Sequence, residues 1–160
     1  MPIERIASFS DLLNLLTETN TPHRADVDRQ VVEIPTAVPP LKGPLVARWE
    51  KNLPYVQIIH PVVEAVPAAR RADVIDAICR ANNAIPLPGF GYHYDLHFVY
   101  MRLCVPMYEE GMLSTSFRKQ LASVVSNARE FAVPFMKIVQ GEPGERILEL
   151  AVAAAAASSS

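Results

Sequence analysis

The stretch GYHYDLHFVYMRLCVP, residues 91–106, decides how the chain is read. A strand places every second side chain on the same face, so its residues can be sorted by parity. Gly89 and Gly91 permit a reversal before the stretch and Pro106 stops it, so residues 93–105 are expected to form the longest strand. Tyr94, Leu96, Phe98 and Tyr100 make an apolar row that should pack against helices. The opposite row opens polar, with His93, Asp95 and His97, and closes apolar, with Val99, Met101 and Leu103. Such a strand starts half-wet and ends buried on both faces. An antiparallel sheet with helices on one side leaves its other face to solvent. Something must therefore cover Val99, Met101 and Leu103, with Ile59 beside them. The N-terminal helix or the tail could do so. The expectation is instead a surface for a second subunit or a partner segment, formed by Ile59, Val99, Met101 and Leu103.

His93, Asp95 and His97 look like the start of a metal site. On one strand, however, His93 and His97 stand i and i+4, about 13 Å apart, too far to share a metal at bonds of about 2.1 Å. Asp95 with either histidine would need a third ligand from another strand. Only His23 and His60 remain as histidines, and Cys104 falls on the opposite face from His97. The expectation is a hydrated strand end, no metal and no cofactor, with His93, Asp95 and His97 as the candidates if a metal binds.

Working outward, Pro86 and Pro88 both lack an N–H and stand two apart, so residues 84–90 are expected to be an edge strand. Before them a helix opens with Pro67 as its first residue, carries Val74, Ile75, Ile78 and Ala81 on one stripe, and ends at Asn82 and Asn83. Earlier still, residues 45–50 and 55–60 alternate around the turn signal Lys51-Asn52-Leu53-Pro54 and read as a hairpin. Leu45, Ala47 and Trp49 share one face, as do Val56 and Ile58 on the returning strand. A Pro-rich connection, residues 39–44, links this hairpin to a short strand at 30–34. The first helix starts at Ser8 with Asp11 three residues on, then shows Phe9, Leu12, Leu13 and Leu16. On the C-terminal side, Phe117, Leu121, Val124, Ala128, Phe131, Phe135 and Ile138 alternate steps of four and three, the seam of a long helix interrupted at Pro134. The residues after Leu148 are Ala-rich and then Ser-only.

Composition bounds the function. Half of the 160 residues are apolar and the net charge is −2, which fits one domain with a real core and no electrostatic footprint for nucleic acid or an anionic membrane. Two cysteines, Cys79 and Cys104, lie far apart without metal or redox spacing, which suits reduced thiols and a cytoplasmic setting. Met1 to Ser10 carries Glu4 where a signal peptide needs a basic flank, and no apolar run reaches the roughly 18 residues of a membrane span. Gly89-x-Gly91 lacks the third glycine of a dinucleotide loop, and Glu109-Glu110 precedes Gly111 in a loop. Phe90, Tyr92 and Tyr94 could stack on bases, but no basic surface accompanies them. No acid, base and nucleophile converge, so an enzyme is not expected.

The elements run helix, three strands, helix, two strands, long helix. With AICRANNAIPLPGFGYHYDLHFVYMRLCVP, residues 77–106, this order resembles the YbjN-like family, assigned to bacterial sensory transduction regulation and similar in fold to type III secretion chaperones. The matching features are Asn82-Asn83 at the end of the second helix, a short strand, a long strand alternating through Leu103, and a long helix opening near Leu113. The residues 39–44 and the Pro86/Pro88 segment depart from that pattern. The resemblance implies an α+β fold: a single antiparallel sheet of about five strands with helices packed on it, in the order α-β-β-β-α-β-β-α. It covers roughly residues 5–140 as a pattern, and the expected division is one chaperone-like domain at residues 1–145 with an Ala/Ser-rich tail at 146–160. The implied function is a non-enzymatic, chaperone-like or regulatory adaptor that shields a segment of a partner protein, as a homodimer. The alternative is a small-ligand or metal-binding protein using the His93/Asp95/His97 face.

Overall fold

Ser8 opens the first helix in the way its spacing from Asp11 predicts. Its Oγ accepts from the Asp11 N–H at 3.2 Å, while the Asp11 carboxylate accepts from the Ala7 N–H at 3.0 Å and from the Ser8 hydroxyl at 2.8 Å. The computed structural model describes residues 3–36, 38–85 and 89–158. In chain order these form β1 (Arg5–Ile6), α1 (Phe9–Glu18), β2 (Arg24–Asp26), β3 (Val31–Ile34), β4 (Leu45–Trp49), β5 (Tyr55–Val63), α2 (Arg71–Ala84), β6 (Gly89–His93), β7 (Phe98–Pro106), β8 (Met112–Leu113), α3 (Ser114–Val139) and α4 (Gly144–Ser158).

The architecture is α+β with antiparallel pairing throughout, but it is not a single sheet of about five strands. Six strands form the main sheet in the order β2-β3-β4-β5-β7-β6, and β1 pairs with β8 in a separate two-stranded ribbon. The extra strands β1, β2 and β8 are only two or three residues long. A period-2 signal needs at least four residues to show, so nothing in the sequence marked them. Pro86 and Pro88 lie outside the described residues, but β6, which follows them, stands at a sheet edge. The returning strand of the hairpin was expected over residues 55–60, yet β5 continues to Val63 and takes in Pro61. That proline stands past the last β4 pairing, Val46 with Ile59, and at a β-bulge, where a missing N–H is tolerated.

The largest correction concerns residues 93–105, which are not one strand. Residues 94–97 turn, and β6 and β7 pair as a hairpin, with Gly91 opposite Tyr100 and His93 opposite Phe98. His97 takes φ 53°, a left-handed conformation that His adopts more readily than most residues. Its carbonyl accepts the Val66 N–H at 2.8 Å, and the His93 Nδ1 accepts the Leu96 N–H at 3.3 Å. The inward row is consequently Val99, Met101, Leu103 and Val105, all buried, while Tyr94 and Leu96 are each 67% exposed at the hairpin tip. Gly91 is needed here for close approach and not for a reversal, since a Cβ at that position would come within 2.6 Å of the hydroxyl end of the Tyr100 side chain.

Helices cover one face of the main sheet. α3 lies against β5 and β7, α2 against β6, and α4 against α2 and α3. The residues expected as a tail are largely α4, whose Leu148 and Ala151 join the core. Arg80 of α2 holds Asp76 at 2.7 Å and Glu145 of α4 at 3.0 Å. The core contains the α3 seam, with Phe90 against Phe131 and Phe135 at ring separations of 5.0 and 5.1 Å.

Candidate functional site

Six of the seven seam residues of α3 are buried, and Leu121 alone is half-buried. Beside it runs an open apolar groove of about 450 Å³, within the range of ligand-binding clefts. α1 contributes Leu15 and Leu16, β3 contributes Ile34, β4 contributes Leu45, and α3 contributes Leu121, Ala122 and Val125. The polar groups around it are Thr19, Thr21, Thr36 and Ser126, with Arg118 and Arg129 from α3. Among the described residues no aspartate or glutamate lines it.

One end of this groove is fastened to the centre of the sheet. Thr36, past the end of β3, lies with its Oγ1 2.8 Å from Nε2 of His60 and 3.0 Å from the Gly43 carbonyl. The other ring nitrogen of His60, Nδ1, donates to the Pro61 carbonyl at 2.7 Å. His60 is fully buried, and burial holds its pKa below the usual histidine value, opposed only in part by the bond to Pro61. In the neutral ring Nε2 is an acceptor, so the single Thr36 hydroxyl proton must choose between His60 and Gly43.

The sequence candidates fall elsewhere. His93, Asp95 and His97 belong to the hairpin turn and not to one strand face. His93 stacks on Phe98 at 5.1 Å. His97 Nε2 lies 2.9 Å from the Arg71 guanidinium, which can only donate, so this nitrogen accepts. Each histidine is therefore occupied in holding the turn. Among the described residues no group of three His, Cys, Asp or Glu side chains is placed to hold a metal ion. Val99, Met101 and Leu103 do not form a surface: β7 turns them under the helices, and the chain's own core covers them. Only Ile59 stays on the outer face, in a half-buried apolar set with Val46, Pro61, Phe98 and Tyr100.

No protein-family model matches the sequence, and no curated protein matches it. Solved structures do match in fold. The crystal structure of YbjN from E. coli, described as a candidate transcription regulator, superposes with a TM-score of 0.61 at 10% identity, covering 81% of this chain and 95% of that one. The chain has a YbjN-like fold. A chain from the structure of the HopA1–SchA chaperone–effector complex superposes with a TM-score of 0.56 at 12% identity, over 78% of this chain and 94% of that one. The fold implied by the sequence resemblance is thus the fold observed, with the larger sheet described above.

Within the YbjN-like fold, the groove is the feature that the residues alone did not disclose. Its walls come from four elements distant in sequence. A partial signal existed in α3, where Arg118, Leu121, Ala122, Val125 and Arg129 form a stripe beside the buried seam. Read alone, such a stripe is only the wide edge of an amphipathic helix. No helix among the described residues is long and apolar enough to cross a membrane.

Proposed function

We propose that the chain is a non-enzymatic, chaperone-like binding domain that holds a segment of a partner polypeptide in the groove between α1 and α3. The observation that carries this reading is the groove itself: an open apolar channel walled by two helices, with Ile34 and Leu45 of the sheet also lining it. Amphipathic segments bind in grooves of this kind by laying an apolar face on an apolar floor. The likeness to a chain of a chaperone–effector complex supports the reading at the level of fold. The proposed setting is cytoplasmic. Purification from the host, compared between wild type and Leu121→Lys, tests it. A polypeptide held by wild type and lost from the variant supports the reading. Equal recovery with both, or none with either, contradicts it.

The proposal includes self-association through the outer sheet face, where Ile59 sits with Val46 and Tyr100. Ile59→Asp is expected to convert a dimer to a folded monomer by light scattering. A wild-type monomer would remove this part of the proposal without touching the groove.

A further inference from the structure

Arg118 and Arg129 stand eleven residues apart on α3, which is about three turns and about 16 Å along the helix. At 3.6 residues per turn, that spacing returns them to nearly the same face, with Val125 between them. Neither arginine has an ion-pair or hydrogen-bond partner among the described residues. With no carboxylate lining the groove, its apolar length is flanked at both ends by unanswered positive charge.

From this we infer that the groove selects an acidic amphipathic helix: about three turns long, with an apolar face and a carboxylate near each end. The inference rests on the protein-binding reading above and specifies its partner. Charge complementarity across a rim acts mainly on encounter and on the exclusion of wrong partners, which suits a surface that must choose among amphipathic segments. A fatty acid or other single-headed amphiphile would answer only one of the two arginines. A helix of about eleven residues answers both.

The test uses two synthetic helical peptides with the same leucine stripe at i, i+3, i+4 and i+7. One carries glutamates eleven residues apart flanking the stripe, and the other carries lysines at the same two positions. Fluorescence anisotropy gives the affinity of each for wild type, for the double variant R118E/R129E and for Leu121→Lys, with circular dichroism as a folding control. The expected result is a roughly tenfold preference of wild type for the glutamate peptide, shrinking as salt rises and reversing in R118E/R129E. Leucine-dependent binding without charge preference, abolished by Leu121→Lys, would overturn this inference and leave the protein-binding groove standing. Failure of both peptides to bind wild type, or displacement of both by palmitate in preference, would overturn the inference and the groove reading together.

Discussion

Nε2 of His60 lies 2.8 Å from Oγ1 of Thr36, joining the buried centre of β5 to the end of the groove. Because burial lowers the His60 pKa, the folded chain binds fewer protons than the unfolded chain as pH falls through the ordinary histidine value of 6.5. Stability from this group is complete above that value and declines below it, toward the lowered folded pKa. Urea midpoints measured from pH 8 to pH 5 should fall over the acid part of this window in wild type. His60→Gln should be less stable at pH 8 but show a weaker decline. Equal pH slopes in the two proteins would contradict the assignment.

Thr36→Val keeps the shape of the threonine and removes its hydroxyl. It leaves a buried ring nitrogen without a partner, which costs about 1–3 kcal/mol. The loss should appear as a lower urea midpoint with an unchanged slope.

Val99 and Met101 lie in the core. Met101→Ala should cost about 2–5 kcal/mol by equilibrium unfolding. Val99→Asp should leave no folded protein by near-ultraviolet circular dichroism. A folded Val99→Asp monomer would return these residues to a subunit interface.

The contrast between this burial and the sequence expectation has a local cause. Parity separated the two rows only within β7: it grouped His93 with Val99 and Met101, whereas the turn at residues 94–97 sets His93 opposite Phe98 and turns Val99 and Met101 inward. Asp95 was the one turn-favouring residue there, and the left-handed backbone of His97 leaves no mark in composition. The α3 seam, the Ser8 cap and the 45–50/55–60 hairpin were legible because each is specified by neighbours a few residues apart. The groove was not, because Leu15, Ile34, Leu45 and Val125 meet only in the folded chain.

His97 is predicted to matter for conformation and not for metal. His97→Ala should lose about 1–2 kcal/mol, because alanine meets the left-handed penalty and frees Arg71 of its acceptor. His97→Gly should recover much of the backbone part of that loss. Thermal unfolding of the two variants side by side distinguishes them, and added zinc should shift neither protein nor wild type.

Gly91→Ala should destabilise by about 1–3 kcal/mol, since its methyl group would press against the hydroxyl end of Tyr100 and force that side chain to shift. Tyr100→Ala in the same chain should relieve that clash, so the double variant is expected to lose less than the sum of the two single changes.

The central claim is that a partner segment docks between α1 and α3. The most direct measurement is an amide chemical-shift titration of isotope-labelled protein with the glutamate-bearing leucine peptide. Docking predicts saturable shifts concentrated near Leu15, Leu16, Leu121 and Val125, with the outer-face strand residues Gln57 and Cys104 unmoved. Shifts confined to the outer sheet face or the tip at Tyr94 and Leu96, or no saturable shifts, would contradict it.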